Sequence, residues 1–358
     1  MSSINFPIEG DLLQHDFVSS EIMSFLTPEQ QLVNSKISRL WPEIPLGRLC
    51  MFNLMKSISN LSMGEINILL KNHPEVVPQL VNMKFHEVLN PSQYKGEFLS
   101  KIIEVKFKKN PSEAIEYLQG FPLEQRKMIE ALKFMTRCAD LRDDQITEII
   151  ALCPDLKSLA LSGSNFITGE FLTRIPEGIH LERLMLENCE NLNEDFLADF
   201  FSGATQIKEI NLSDSLITGG CLTHISEKNH LENLFLEGCK NLNEDFLVAF
   251  SSKTAYLKKV YLSVTEITGK VLLSISDQCQ LEELFLGHCK NLNEELLAEF
   301  FQLNASHLNV VELEFTEITG ECLAYLPKEN QIKKIGLFDC KNLDQVYLQN
   351  LSKEILEI

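Results

Sequence analysis

From residue 156 onward, apolar residues recur in the spacing LxxLxL, each run followed by a polar turn and a second apolar cluster. Leu181, Leu184 and Leu186 form one run, Leu231, Leu234 and Leu236 a second, and Leu281, Leu284 and Leu286 a third. The last two leucines of a run are one residue apart, so they point to one face of a short strand. Each of these runs leads to a cysteine (Cys189, Cys239 or Cys289) and then to an asparagine at 193, 243 or 293. Behind the first of these, Phe196, Leu197 and Phe200 recur at helical spacing. Asn193 is predicted to cap that helix, with Glu194 and Asp195 in the first turn, where the helix dipole favours negative charge.

A second flavour of run alternates with the first. Ile207, Ile210 and Leu212 lead to Ile217-Thr218-Gly219, and Leu257, Val260 and Leu262 lead to Ile267-Thr268-Gly269. Related copies begin at Leu156 and Leu308, and a degenerate copy of the first flavour begins at Ile332 and reaches Cys340. In the second flavour Thr218 takes the position where a helix cap is expected. The unit is thus 24 to 27 residues long, with starts at Leu156, Leu181, Ile207, Leu231, Leu257, Leu281, Leu308 and Ile332. Ile129, Leu132, Phe134, Cys138 and Leu141 predict a further, imperfect unit. One such unit cannot bury its own apolar edge, whereas a stack shares a continuous core. The predicted fold class is α/β: a solenoid of short parallel strands and helices over residues 129–358, preceded by an all-α N-terminal region.

This pattern resembles the cysteine-containing leucine-rich-repeat family, in which a cysteine stands between strand and turn. The match departs from the family where Ser164, Ser215, Thr265 and Thr316 replace the cysteine.

Residues 6–41 carry Pro7, Glu9, Ser24-Phe25-Leu26, Glu29, Leu32, Ile37-Ser38-Arg39 and Trp41. This resembles an F-box, although the stretch between Pro7 and Leu26 is longer than that pattern. The resemblance implies binding to the Skp-type adaptor of a cullin–RING ubiquitin ligase. Pro7, Leu26, Leu32 and Ile37 would then face the adaptor, with Trp41 in a small helical core. The same segment also reads as a helical cap on the solenoid, since terminal repeats need covering. An F-box ahead of such repeats is a common pairing, and in this form it resembles effectors of intracellular bacteria. Three regions are therefore expected: an F-box-like segment over 1–44, a helical connector or cap over 45–128, and the solenoid over 129–358. The connector shows helical spacing at 46–61, 64–70, 78–89 and 98–107, and Lys106, Lys108 and Lys109 read as a solvated helix end.

Charge narrows the choice of partner. The 358 residues carry a net charge of −19. Residues 1–150 hold 16 basic and 19 acidic side chains, and residues 151–358 hold 16 and 32. Such a balance argues against nucleic acid and against anionic membranes as partners. No apolar run is long enough to span a bilayer, and the N-terminus has neither the basic nor the apolar part of a secretory signal. With no CxxC among the 10 cysteines, reduced thiols and a cytoplasmic location are expected, with delivery into a host cell if the source is bacterial.

The chain has no GxGxxG, P-loop, HExxH or GxSxG motif, and no cofactor or metal is expected. Cys189, Cys239, Cys289 and Cys340 recur once in two units, about 10 Å apart at two strand steps, too far for a disulfide or a shared metal. They read as small buried groups under the turn. Cys50 and Cys138 have no neighbouring acid–base motif, so no intrinsic enzyme is expected.

In LxxLxL strands the residues beside the final leucines face the open, concave side of a solenoid. The residue between those leucines is Ala160, Met185, Asn211, Phe235, Tyr261, Phe285, Glu312 and Gly336 in successive units. Met185, Phe235, Tyr261 and Phe285 are thus candidates for a partner-binding face, with Arg183, Lys259 and Glu283 beside them. Large apolar residues side by side on a surface mark interfaces. The competing reading is that the rings pack on one another or against N-terminal helices. The expected partner is an unidentified protein substrate with a basic surface. The expected function is substrate receptor of a cullin–RING ligase, the alternative a non-catalytic scaffold or inhibitor.

Overall fold

The computed structural model describes residues 104–107, 111–121, 123–127, 129–134, 141–276, 278–327, 331–349, 351 and 355–357. The chain divides into two compact units, residues 1–105 with 117–128 and residues 106–116 with 129–358. Pro7, Leu26, Leu32, Ile37 and Trp41 lie outside the described residues, as do Cys50, Cys138, Lys108, Lys109 and the helices expected at 46–61, 64–70 and 78–89.

The strands are β1 (Glu104–Phe107), β2 (Ala131–Phe134), β3 (Ser158–Leu161), β4 (Arg183–Met185), β5 (Glu209–Asn211), β6 (Asn233–Phe235), β7 (Lys259–Tyr261), β8 (Glu283–Phe285), β9 (Val310–Glu312), β10 (Lys334–Gly336) and β11 (Leu356–Glu357). They lie in one sheet in chain order. From β2 to β11 every adjacent pair is parallel. One parallel strand per unit, stacked in sequence order, makes this an α/β leucine-rich-repeat solenoid. The unit expected at Ile129 is present as β2, with Ile129, Leu132, Phe134 and Leu141 buried. Two departures from the sequence reading concern the ends. The segment 98–107 was expected to be helical, yet Glu104–Phe107 is a strand, so Lys106 is not at a helix end. Val105 and Phe107 alternate with charged residues there, a period of two that short windows confuse with a helical face. Leu356–Glu357 forms a further strand, in register with Ile335 and Gly336.

The helices are α1 (Pro111–Gln119), α2 (Leu123–Arg126), α3 (Asp143–Ala151), α4 (Glu194–Gly203), α5 (Glu244–Ser251), α6 (Glu294–Asn304) and α7 (Gln345–Leu348). In α4, α5 and α6 the first-flavour units bury Leu197 and Phe201, Leu247 and Phe250, and Leu297, Phe300 and Phe301. Phe201 therefore takes the core position, while Phe196 and Phe200 stay half-buried. Asn193, Asn243 and Asn293 cap these helices, each side chain accepting the N–H two residues on, at 2.8, 3.0 and 2.8 Å.

Second-flavour units have a short 3₁₀ turn instead: Glu170–Arg174, Gly220–His224, Lys270–Ser274 and Glu321–Tyr325. Here the cap position falls on Gly219, and the threonine expected to cap gives one long bond from just before it: the Thr218 hydroxyl accepts the Gly220 N–H at 3.4 Å. Gly219 precedes the turn at φ 89°, and Gly169, Gly269 and Gly320 do the same at 91°, 96° and 91°. With a left-handed residue in between, each threonine hydroxyl reaches only the first N–H of its turn, so the remaining amides need a further acceptor.

That acceptor is a carboxylate from the preceding unit, at the first position of its helix. Glu244 accepts from the Thr268 N–H (2.9 Å) and hydroxyl (2.7 Å), the Gly269 N–H (2.9 Å) and the Val271 N–H (3.1 Å). Glu294 accepts the Thr319 N–H and hydroxyl, both at 2.9 Å, and the Cys322 N–H at 3.2 Å. Glu194 holds Thr218 and Cys221 in the same way, and Asp143 holds Thr168, Gly169 and Phe171. Burial by itself would raise the Glu194 and Glu294 carboxyls. The donated N–H and O–H groups outweigh it and hold both below the ordinary 4.5.

A depressed folded-state pKa contributes stability that is complete above the unfolded value and lost as pH falls through the folded one. Urea unfolding is therefore expected to show stability declining below about pH 4.5, with Glu194→Gln and Glu294→Gln flattening that decline. At neutral pH, Asn293→Ala is expected to cost about 1 kcal/mol by removing the helix cap.

Candidate functional site

Strict pairing turns each strand position into a column across the sheet. Ala160, Met185, Asn211, Phe235, Tyr261, Phe285, Glu312 and Gly336 are successive partners, as expected from their place between the two leucines. The adjoining column runs Arg183, Glu209, Asn233, Lys259, Glu283. The leucines and valines between these positions are buried on the opposite face.

Phe235, Tyr261 and Phe285 are half-buried and form a stacked ladder. The Phe235 and Tyr261 centroids lie 4.5 Å apart at 34°, and those of Tyr261 and Phe285 lie 4.1 Å apart at 8°. Tyr261 thus has a ring against each of its faces, while Phe235 and Phe285 each have one. Packing on one another and lying on the surface are both realised here, because a strand spacing near 4.8 Å suits parallel rings. Met185 is half-buried and separated from the ladder by Asn211 on β5, so the continuous stripe is the three rings, as their place on consecutive units implied.

Lys259 and Glu283 belong to the ladder. One Glu283 oxygen accepts from Lys259 Nζ at 2.6 Å and the other from the Tyr261 hydroxyl at 2.6 Å. Burial raises Glu283, yet these two donors bring it below the ordinary value. Burial also pushes the Tyr261 hydroxyl up, and the bond to Glu283 and its charge push it further. The network holds the middle ring in place. Arg183 is exposed on β4 beside Met185 and takes no part in it.

Past Phe285 the column turns polar. Glu312 is buried and pairs with Lys334 at 2.7 Å, and Lys334 also reaches Glu357 at 2.9 Å. The side chain of Glu312 lies over Gly336, so a Cβ there would push the Glu312 carboxylate aside.

Sequence reasoning missed a second column. Two residues after the last leucine of each unit, the chain is left-handed: Gly163, Asn188, Asp214, Gly238, Val264, His288, Phe315 and Asp339 all have φ between 53° and 70°. Glycine, asparagine and aspartate accept that conformation. Val264, His288 and Phe315, on three consecutive units, are the exceptions. Val264 is 46% exposed, so burial does not explain it. His288 stacks on Phe315 at 4.2 Å and 9°, and Phe315 meets the exposed Phe338 edge-on at 5.4 Å. Aligning the units on their final leucine would have revealed the break.

The cysteines have a structural role. Cys189, Cys239, Cys289 and Cys340 are buried, and each thiol donates to the carbonyl that ends the previous strand run: Leu161 at 3.3 Å and Leu212, Leu262 and Leu313 at 3.1 Å. Ser215, Thr265 and Thr316 donate to the same three carbonyls at 2.6, 2.6 and 2.7 Å. The replacement of cysteine in alternate units is therefore one device: hydroxyl and thiol converge on a single buried acceptor. Burial pushes the Cys189 thiol up to about 11, the reverse of what a nucleophile needs.

No family model matches the chain, and no curated protein matches it. Solved structures do. A leucine-rich-repeat-containing protein, LegL7 from Legionella pneumophila, is 17% identical, with a TM-score of 0.43 over 69% of this chain and 86% of that one. An internalin from Listeria monocytogenes is 16% identical, with a TM-score of 0.43 over 77% of this chain and 78% of its own. Yeast Rad7, solved in complex with Elc1, gives 13% identity and a TM-score of 0.41 over 84% and 91%. Likeness at this level assigns neither partner nor activity.

Val264→Asn is expected to stabilise the chain by about 1 kcal/mol, because asparagine tolerates the left-handed conformation that valine resists. Thermal unfolding checks this, and Gly238→Val should shift stability the other way.

Proposed function

We propose that this chain is a non-catalytic protein-recognition module, and specifically the substrate receptor of a cullin–RING ubiquitin ligase. The observation that carries the recognition part is the ladder of Phe235, Tyr261 and Phe285: three rings in register, half-exposed, on the sheet face opposite the core. Met185, Arg183, Lys259 and Glu283 extend or brace that face. The 32 acidic against 16 basic side chains after residue 150 suit a substrate with a basic surface and an on-rate that falls with salt.

The ligase part rests on the F-box resemblance of residues 6–41, with Pro7, Leu26, Leu32 and Ile37 facing the Skp-type adaptor. Residues 1–44 would hold the adaptor, 45–128 would join it to the repeats, and 129–358 would hold the substrate. Ubiquitin transfer would then be proximity supplied to chemistry on other chains. The work would take place in a eukaryotic cytoplasm, reached by delivery if the source is a bacterium, as the effector resemblance implies.

The test is binding of the full chain to a purified Skp-type adaptor by calorimetry, beside a Leu26→Asp, Leu32→Asp double variant. Micromolar or tighter binding, lost in a variant whose repeats still melt at the wild-type temperature, is the expected result. Absence of binding by the wild type leaves the scaffold or inhibitor reading, with the N-terminal helices as a cap.

A further inference from the structure

The backbone hydrogen bonds between neighbouring units continue two to three residues beyond the strands. The Gly238 N–H donates to the Ser263 carbonyl, Val264 to Gly287, His288 to Glu314 and Phe315 to Phe338, at 2.8–2.9 Å. A third column of outward residues therefore lies beside the ring ladder, and across four units it reads Glu237, Ser263, Gly287, Glu314. Its two middle positions carry little side chain: Ser263 is half-buried, and Gly287 is buried as a floor beside the Ser263 hydroxyl and the Glu314 backbone. On those same two units, Tyr261 and Phe285 precede the gap in the chain and the exposed Val264 and His288 follow it. The sheet thus carries a low stretch two strands wide, with apolar and aromatic residues along both sides and a carboxylate at each end.

Among the described residues neither carboxylate has an ion-pair partner. Lys259 is taken by Glu283, and Lys334 by Glu312 and Glu357. Glu237 also stands near Asp214 and Glu187. Burial and then these like charges raise its pKa, a repulsion that an arriving cation relieves. Both faces of the middle ring are taken by its neighbours, so a basic side chain finds its counter-charge at the glutamates and its flanking apolar atoms find the rings. Three strand steps separate Glu237 from Glu314, about 14 Å, the span of about four residues of extended chain.

We propose that this low stretch seats an extended peptide segment whose two basic side chains, about four residues apart, meet Glu237 and Glu314. The proposal rests on the reading of the sheet face as a recognition surface and names what that surface recognises.

The test is fluorescence anisotropy of the full chain with labelled peptides: one with two arginines four positions apart around small apolar residues, one with the arginines adjacent, and one with glutamates in their place. The spaced-arginine peptide is expected to bind at least about tenfold tighter than the others and to weaken with salt. The double variant Glu237→Gln, Glu314→Gln and the floor variant Gly287→Phe should each weaken it by about tenfold or more. Phe338 holds the equivalent position on β10's turn, so the fold accepts a ring there, and Ser263→Phe serves if Gly287→Phe melts early. Equal affinity for both arginine spacings, or affinity untouched by the floor variants, overturns the proposal. Binding lost in Phe235→Ala but kept in the floor and glutamine variants overturns it too, while leaving the ring ladder as the recognition surface. Failure of every basic peptide to bind overturns the peptide proposal alone, because adaptor binding tests the receptor reading separately.

Discussion

A carboxylate at the first position of one unit's helix holds the turn of the next, and the regularity of the solenoid depends on it. The second-flavour turns contain a left-handed glycine and amides that neither strand nor helix satisfies. Glu244 supplies four acceptor contacts to one such turn. Charge-assisted bonds of this kind contribute about 1.5–3 kcal/mol each where they are sheltered. The Lys–Glu pairs on the sheet margin, such as Lys208 with Glu182 at 2.8 Å, have partners 49% and 35% exposed and contribute about 0–1 kcal/mol. The carboxylate clamp therefore outweighs the salt bridges in fixing one unit on the next. It also explains the alternation of flavours: the unit with a full helix donates the acid, and the unit with the short turn receives it.

Fixed registry is what makes a surface out of a repeat. Every outward position becomes a straight column, so neighbouring units can place like residues at strand spacing. The ring ladder uses that spacing for stacking, and Glu283 ties the middle ring to Lys259. The left-handed column shows the same freedom at a cost. Three bulky residues stand where the backbone favours glycine or asparagine, at one margin of the ladder; ring stacking offsets the strain at His288 and Phe315, and at the exposed Val264 burial does not.

Much of this was legible in the chain. The LxxLxL spacing gives strands, their order and the outward column directly, because a period of two admits one assignment of faces once the leucines are buried. Asn193 and its equivalents announce their helices. Thr218 shows only part of the cap, the long bond from the Gly220 N–H, while the main acceptor lies 24 residues earlier in the chain, at Glu194. Long-range side-chain bonds of that kind leave no local pattern. The left-handed column was hidden for a different reason: backbone sign is not written in hydrophobicity, and Val264 and Phe315 are poor advertisements for it. Lys259 and Glu283 were picked as surface charges, and only geometry shows them as partners. Pro7, Leu26, Leu32 and Ile37 lie outside the described residues, so their role rests on resemblance alone.

The most direct test of the clamp is native-state hydrogen exchange at single-residue resolution, comparing the chain with Glu244→Ala. The amides of Thr268, Gly269 and Val271 are expected to lose about tenfold or more of their protection, while that of Cys221, held by Glu194, keeps its own. Unchanged protection at residues 268, 269 and 271 in a folded variant would contradict the account, because the registry of the units would then rest on the strands alone.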